Sequence, residues 1–305
     1  MSTRAPAPGG GLPLVEPFTL IDGGLSTALQ EMGEQPSGLL WTAAALLDRP
    51  EVITEAHRRY VEAGADVVIT ASYQASEAGF VGAGLSPADA RRVLASTTAV
   101  ARASGAAAVA CSVGPFGACL GDGSEYHGRY EASWAEVRAF HRARLEVLVP
   151  TAPDLFAVET IPSQAEAEIV LEELRRLTDA PTWVTFSCVD DTHTCHGETL
   201  VEAAAAVASA VQAVGVNCTA PGFVASLLRS LAGTPAGALP LVAYPNHGAA
   251  WDAEHECWVG PTGGAELPGH VPEWLAAGAR LIGGCCGVGP AGIAALAAAR
   301  ARLRG

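Results

Sequence analysis

The stretch Gly283-Gly284-Cys285-Cys286-Gly287 sets two adjacent cysteines between glycines near the carboxyl end of the chain. Two neighbouring cysteines on a regular strand would point to opposite faces of the sheet. They can meet at one point only where the backbone leaves regular geometry. Glycine permits this because it reaches backbone angles that other residues avoid. The stretch therefore predicts a strand that ends in a loop at Cys285 and Cys286.

A third cysteine, Cys218, follows Asn217 upstream and completes a set that we interpret as a zinc site. Zinc binds thiolates, and catalytic zinc sites use three protein ligands with a fourth position left for water or substrate. Structural zinc sites typically contain C-x2-4-C pairs, and the sequence has none. The residues alone also allow a vicinal disulfide or two small buried thiols.

Outward from this stretch, the sequence alternates short apolar runs with helical segments. The runs that we predict to be strands are 18–22, 66–70, 107–113, 154–159, 182–187, 213–217, 239–244 and 280–283. Strands separated by helices predict a parallel sheet with right-handed crossovers. Eight such units are the count of a (β/α)8 TIM barrel, which forms a single α/β domain.

The helix starts between these runs are marked by capping residues. Asp48 and Glu51 form a predicted capping box, and residues 133–136 form another. Ser163 is predicted to cap the helix that follows it, and residues 197–213 form a predicted alanine-rich helix. These signals separate the predicted strands by helices of ordinary length.

Chemically distinctive residues stand at or just past the carboxyl ends of the predicted strands. They are Asp22, Thr70, Gly114, Glu159, Ser187, Cys218, Asn246 and Cys285. In a TIM barrel this end carries the active site. A doubly wound sheet would also place loops there, but it gives no reason for strands six and eight to converge. Its G-x-G-x-x-G fingerprint is also absent after Asp22.

The overall composition limits the classes of partner that the chain is expected to bind. The chain has 305 residues, 50% of them hydrophobic, and its 18 basic and 32 acidic side chains give a net charge of -14. This charge argues against nucleic acid and anionic membranes as partners, and no apolar run is suited to span a bilayer. Residues 1–13, rich in Pro, Gly and Ala, are predicted to be a disordered tail before a barrel of residues 14–305. We expect a cytoplasmic protein with reduced cysteines.

Seven segments together resemble the homocysteine S-methyltransferases. They are 21–23 (IDG), 70–75 (TASYQA), 121–126 (GDGSEY), 159–160 (ET), 215–218 (GVNC), 244–246 (YPN) and 283–286 (GGCC). The likeness runs from about residue 18 to the carboxyl end. The YPN and DGSEY segments point to the branch that uses S-methylmethionine, and the wider family includes the betaine-homocysteine methyltransferases. The resemblance implies a zinc-dependent barrel with Cys218, Cys285 and Cys286 as the metal ligands.

The resemblance also implies an enzyme acting on small molecules, which moves a methyl group from a sulfonium donor to the thiol of homocysteine and forms methionine. A free thiol, with a pKa of about 8.5, is mostly protonated at neutral pH, and binding to zinc deprotonates it. The donor leaves as a neutral thioether, so no general acid is needed. The alternatives are S-adenosylmethionine or a betaine as the donor, selenocysteine as the acceptor, and a non-catalytic zinc-thiolate module.

Two carboxylates and an amide are candidates for contacts to homocysteine. Asp22 and Glu159 are suited to its ammonium group, and the resemblance supports Glu159 in particular. The alternative is that either carboxylate caps a neighbouring helix. Asn217 is expected to hold a metal-bound thiolate or the backbone, or else to shape its loop.

Ser72, Tyr73, Tyr126 and Asn246 complete the predicted substrate site because they lie in loops that carry the resemblance. The ring faces of Tyr73, Tyr126 and Tyr244 are suited to a sulfonium cation. No further base is needed once a metal has taken the thiol proton. The polar loop residues expected to stay outside the chemistry are His193, His196, His247, His255, Cys195 and Cys257.

Overall fold

The computed structural model describes residues 11–34, 45–248, 250–252, 257–259 and 264–304. Eight parallel strands form one sheet: β1 (Thr19–Leu20), β2 (Val67–Ile69), β3 (Ala108–Val113), β4 (Leu155–Ile161), β5 (Thr182–Phe186), β6 (Ala213–Asn217), β7 (Leu241–Tyr244) and β10 (Ala279–Ile282). Their order is β1-β10-β7-β6-β5-β4-β3-β2. A parallel bridge between Ile21 and Val67 joins the two ends of this order, so the sheet closes. The predicted (β/α)8 barrel is confirmed.

Helices connect the strands on the outside. They are α1 (Leu25–Glu31), α2 (Ala45–Asp48), α3 (Pro50–Glu62), α4 (Glu77–Gly82), α5 (Pro87–Arg102), α6 (Trp134–Leu148), α7 (Gln164–Arg175), α8 (Leu200–Val207), α9 (Pro221–Ser230), α10 (Leu267–Ala276) and α11 (Pro290–Arg304). A small antiparallel hairpin, β8 (Ala250–Asp252) and β9 (Cys257–Val259), stands between β7 and α10. No helix in the described parts of the chain is both long and apolar enough to cross a bilayer.

The capping signals were partly right. Ser133 and Glu136 form the predicted capping box of α6, and Ser163 caps α7 by accepting a hydrogen bond from the main chain. The capping box predicted at Asp48 and Glu51 is wrong. Asp48 ends the short helix α2, and α3 starts at its proline with no side-chain cap. Because Asp48 is the last residue of α2, it does not cap α3.

The alanine-rich helix is shorter than predicted. Gly197 has a φ of 115°, which a right-handed helix excludes. The helix begins only after Thr199, which forms a capping box with Glu202. It ends at Val207, and a single 3-10 turn leads from there to the short approach to β6.

The strands carry two apolar layers because successive side chains point to opposite faces. One layer packs against the helices, and the other fills the barrel. The inner cluster consists of Ile21, Val67, Ala108, Ala110, Leu155, Ala157, Trp183, Ala213, Val242, Tyr244 and Leu281. Large aromatic rings and alanines thus share the interior, which is a packed core and not a pore. Leu12 also packs against this cluster, whereas residues 1–10 of the predicted tail lie outside the described residues.

Candidate metal centre and its surroundings

Three cysteine thiols lie together at the carboxyl end of the barrel. Cys218 directly follows β6, and Cys285 and Cys286 follow β10 after two glycines. Their Sγ atoms all lie within 4.8 Å of one another, and those of Cys218 and Cys286 are 3.7 Å apart. Thiolates bound tetrahedrally to one zinc ion at about 2.3 Å would be about 3.8 Å apart. The cluster therefore has the spacing to hold a metal ion.

The backbone at the cysteines is irregular, as their flanking glycines predicted. Cys218 has a φ of 47° and Gly287 a φ of 76°, both in the left-handed region. A Cβ atom at Gly287 would lie 1.6 Å from the ring of His247, so a larger residue would collide with that ring. The main-chain N–H of His247 donates to the carbonyl of Cys286 over 3.0 Å. Close packing and backbone freedom thus both require the glycine after the cysteine pair.

The three thiols influence one another's ionisation. Hydrogen bonds from Cys218 and Cys285 lower the pKa of Cys286, whereas donating to its neighbours raises the pKa of Cys218. The hydrogen bonds within the cluster therefore favour the ionised form of Cys286. Ionising all three partly buried thiols requires a compensating positive charge.

Glu159 points into the barrel just above the inner cluster. It lies two residues beyond Ala157 on β4, so the alternation of the strand places both inside. One carboxylate oxygen accepts from Ser112 Oγ, and the other accepts from Tyr244 Oη over 3.0 Å. Burial raises the pKa of Glu159 to about 7. Helix capping by Glu159 is wrong, because its oxygens bond to side chains from β3 and β7.

Asp22 is a second buried carboxylate at this end. Its Oδ2 accepts from the main-chain N–H of Ile69 over 2.9 Å and lies 3.9 Å from Nδ1 of the buried His57. The alternative of helix capping is wrong here too, since Ile69 belongs to β2. Burial, together with the charges of Glu159 and Cys285, raises the pKa of Asp22 well above its usual range. Two carboxyl groups thus lie near Cys285 in a region where a cationic ligand would favour their ionised forms.

Asn217 bonds the main chain and shapes a turn, as two of the roles considered from the sequence require. Its Oδ1 accepts from the main-chain N–H of Thr160 and its Nδ2 donates to Thr160 Oγ1, each over 2.7 Å. Its Nδ2 also lies 3.9 Å from Cys285 Sγ. Thr160 has a left-handed φ of 59°. Asn217 therefore supports an irregular turn beside Glu159 and contacts a cysteine of the cluster.

The loop tyrosines divide into two groups. The ring of Tyr73 lies against Gly114, where a Cβ would be 2.6 Å from the ring. Burial and then the charges of Cys286 and Cys218 raise the pKa of Tyr126, so that side chain is near the cysteines. Tyr244 is different, because its hydroxyl accepts from Trp183 Nε1 (3.2 Å) while bonding Glu159. Tyr73 and Tyr126 are therefore the tyrosines left for a ligand.

The other predicted site residues are engaged locally. Ser72 is fully buried and its Oγ donates to the carbonyl of Ser112 over 2.7 Å. Asn246 Oδ1 accepts from the main-chain N–H of Gly248 over 2.9 Å. Both side chains therefore shape the turns that follow β2 and β7. We keep both residues as candidates for the substrate site, but only because they hold its loops in place.

The residues expected to stay outside the chemistry lie in different surroundings. His193 pairs with Asp190 and His196 with Glu198 in partly exposed positions. His247 is buried and packs on Gly287. His255 and the side chain of Cys257 lie outside the described residues. Cys195 lies in a separate loop and is not part of the metal-binding group found among the described residues.

Two buried side chains missed by the sequence reading hold the loops after β2 and β3. Arg144 donates to the carbonyls of Gly114 (3.0 Å), Tyr73 (2.6 Å) and Ser72. Its signal was a charge at position 144 on the same helical face as the buried Val137, His141 and Leu148.

Glu166 is the other missed anchor. Its carboxylate accepts from the main-chain N–H of Phe116, from Tyr130 Oη (2.6 Å) and from His141 Nε2 (3.0 Å). The sequence showed Glu166 only as part of a helix start. Its contacts could not be read there, since they join α7 to a loop far away in the chain.

Comparisons with known proteins agree with this geometry. A family model described as Homocysteine S-methyltransferase matches residues 19–300. Homocysteine S-methyltransferase of Escherichia coli (strain K12) is 41% identical over 293 residues, covering 92% of this chain and 94% of that protein. Homocysteine S-methyltransferase 4 of Zea mays is 40% identical, covering 92% of this chain and 88% of that protein.

Solved structures give the same result. The metallated form of the homocysteine methyltransferase MmuM from Escherichia coli matches with a TM-score of 0.81 at 40% identity, covering 93% of this chain and 96% of that one. Its apo form matches with a TM-score of 0.72, covering 92% of this chain and 95% of that one. In the chain described here, Cys218, Cys285 and Cys286 form a group that could hold a metal ion.

Proposed function

The chain belongs to the homocysteine S-methyltransferase family, and we propose that it transfers a methyl group from S-methylmethionine to the thiol of homocysteine, forming methionine. The observation that carries this proposal is the cluster of three thiols within 4.8 Å of one another, beside the buried carboxylates of Asp22 and Glu159. A thiol substrate needs a group that keeps it ionised, and an amino acid substrate needs an acceptor for its ammonium group. The carboxyl end of the barrel supplies both.

We propose zinc as the metal, held by Cys218, Cys285 and Cys286. When bound, it supplies a positive charge that favours the thiolate form of homocysteine at neutral pH. Sulfur ligands suit zinc. Seven of the described cysteines form no disulfide bond, and these three are among them. Thiols must stay reduced for this role, so we place the protein in the cytoplasm.

The protein's own residues orient the acceptor. We assign the homocysteine ammonium to Asp22 and Glu159, whose raised pKa values reflect burial without a cation. An ammonium group can donate three hydrogen bonds, and its positive charge favours the ionised form of a nearby carboxyl group. Asn217 holds the turn at Thr160 and lies beside Cys285, so it fixes the position of Glu159 relative to the cysteine cluster.

The transfer itself needs little else from the protein. The thiolate sulfur of homocysteine forms a bond to the methyl carbon while the bond from that carbon to the sulfonium sulfur breaks. The electron pair of the broken bond passes to the departing thioether, which is neutral and needs no proton. The ring faces of Tyr73 and Tyr126 can stabilise the cationic sulfur before transfer. The donor's positive charge is lost in the step, so no base or acid is required.

The test is methionine formation by the zinc-loaded protein from homocysteine, with S-methylmethionine and with S-adenosylmethionine, before and after removing the metal with a chelator. We expect turnover with S-methylmethionine that stops on chelation and returns with added zinc. Turnover only with S-adenosylmethionine or a betaine would overturn the donor assignment. Bound zinc without turnover of any donor would favour a non-catalytic zinc-thiolate module instead.

A further inference from the structure

Glu125 carries a buried carboxylate oxygen with no explained partner. It lies in the loop after β3, in the single 3-10 turn Ser124–Tyr126. Its side chain is 7% exposed, and its Oε2 makes no hydrogen bond to any residue in the described ranges. A buried acceptor left unpaired costs about 1–3 kcal/mol, so such groups generally mark a bound molecule, a water or a functional role.

The turn that carries Glu125 is fixed in place. A Cβ atom at Gly117 would lie 2.5 Å from the main-chain nitrogen of Glu125, so the turn packs directly on the preceding segment. The next residue, Tyr126, is the tyrosine whose ionisation is opposed by the charges of the cysteine cluster. The turn that carries Glu125 is therefore held against the segment before it, in the loop that follows β3.

The electrostatic surroundings locate the carboxylate further. Burial raises the pKa of Tyr73, and the charge of Glu125 raises it further, so the carboxylate lies near that ring. The pKa of Asp22 is raised by burial and by the charges of Glu159 and Cys285 instead. Glu125 is therefore a further acidic group at this end of the barrel, adjacent to Tyr126 in the sequence and near Tyr73.

We infer that Glu125 binds the α-ammonium group of the methyl donor. This inference rests on the proposed function and deepens it. The unpaired oxygen needs a hydrogen-bond donor. A sulfonium centre has no N–H or O–H to offer, and neither has the quaternary ammonium of a betaine. The α-ammonium of a sulfonium amino acid does, and its sulfonium group then lies a few bonds away, within reach of the rings of Tyr73 and Tyr126.

The assignment explains two further features. Burial raises the pKa of Glu125 to about 7, and a bound ammonium would return the carboxyl group to its charged form. Two amino acid substrates also require two ammonium sites, and the acceptor takes one of them. Glu125 therefore selects donors that are α-amino acids, such as S-methylmethionine, over betaines and over simple sulfonium compounds.

The test uses the zinc-loaded full-length protein and two donors: S-methylmethionine and the analogue in which hydrogen replaces its α-ammonium group. Calorimetric affinity and kcat/KM are measured for both. A hydrogen bond to a charged group is worth about 1.5–3 kcal/mol, so the wild type should prefer S-methylmethionine by about 10- to 100-fold. Glu125→Gln should remove most of this preference, leaving the analogue, the homocysteine KM and the zinc content unchanged.

The matched control is Glu131→Gln, which removes an exposed carboxylate from the same loop and should keep the wild-type preference. Equal losses for both donors in Glu125→Gln would assign Glu125 a structural role and overturn the inference, as would a preference that survives. If Glu125→Gln does not fold, Glu125→Asp should show a reduced preference. If the proposed function is wrong, the wild type forms no methionine. Calorimetry then still tests the ammonium site, because it compares the affinities of the two donors.

Discussion

The open end of the barrel is assembled in two different ways. The cysteine side, made of Cys218, Cys285 and Cys286, is fixed by main-chain hydrogen bonds, such as Cys285 N to Pro245 O (2.8 Å) and Cys218 N to Tyr244 O (3.2 Å). The tyrosine side, made of Tyr73, Glu125 and Tyr126, follows β2 and β3. Its loops are held by Arg144 and Glu166, which reach in from α6 and α7.

This contrast indicates what a substitution will disturb. On the cysteine side the backbone holds the shape, so the side chains are left for chemistry. On the tyrosine side buried polar side chains hold the shape, and removing one leaves several main-chain groups unpaired. Changes on the first side should therefore act on metal and turnover, and changes near the second should act on stability and on donor binding.

The largest expected effect is that of Cys285→Ser. The variant should lose zinc and lower methyl transfer by roughly a thousandfold, because a metal ion contributes several kcal/mol to such a step. Its circular dichroism spectrum should be unchanged, since β10 and its main-chain hydrogen bonds remain. Metal content by atomic absorption and methionine formation are the measurements.

The matched control is Cys195→Ser, which changes a part-buried thiol outside the cluster and should keep both zinc and activity. Full zinc occupancy with normal turnover in Cys285→Ser would show that the cysteine side is not the metal site. If that variant failed to fold, the claim that the main chain alone holds the cysteine side in shape would be wrong.

The next effect is expected on the tyrosine side, from Glu166→Ala. The substitution leaves the N–H of Phe116, the hydroxyl of Tyr130 and Nε2 of His141 without their buried acceptor. We expect the free energy of unfolding to fall by about 4 kcal/mol. The KM for the donor should rise, with zinc affinity nearly unchanged. Chemical denaturation and donor kinetics measure the two effects.

Glu168→Ala, on the same helix and only partly buried, is the control and should cost little. A loss of zinc affinity in Glu166→Ala as large as its effect on the donor KM would contradict the separation of the two sides. Unchanged stability would show that the loop after β3 does not depend on this carboxylate.

The cysteine cluster and the tyrosines could be predicted from the sequence, whereas the side chains that hold the tyrosine side in place could not. Three cysteines of this kind indicate a metal site, although the residues alone also allowed a disulfide or buried thiols, and the glycines around Cys285 and Cys286 indicate the irregular backbone. The barrel could be predicted for a similar reason, because apolar runs and helix starts are local features of the sequence. Arg144 and Glu166 act across long stretches of chain, so no local pattern shows which loop they will hold. The wrong capping box at Asp48 has a related cause, because the local motif could not reveal the short helix α2 that ends there.

Glu159 joins the two sides, since it accepts from Ser112 on β3 and from Tyr244 on β7. Its pKa is raised by burial from 4.5 to about 7, so the folded protein binds its proton more tightly than the unfolded chain does. That contribution to stability is complete below about pH 4.5 and is lost as pH rises through about 7. One pKa unit corresponds to about 1.4 kcal/mol, so the loss amounts to about 3 kcal/mol.

The smallest expected effect, that of Glu159→Gln, follows from this sign. Without metal and under reducing conditions, the free energy of unfolding of the wild type should fall relative to that of the variant by up to about 3 kcal/mol between pH 5 and pH 8. Chemical denaturation at several pH values measures the difference, and Glu146→Gln, an exposed carboxylate on α6, is the control. A wild type that instead gained stability over the variant with rising pH would mean that Glu159 already has a cationic partner in the protein. The ammonium group of homocysteine would then have to bind elsewhere.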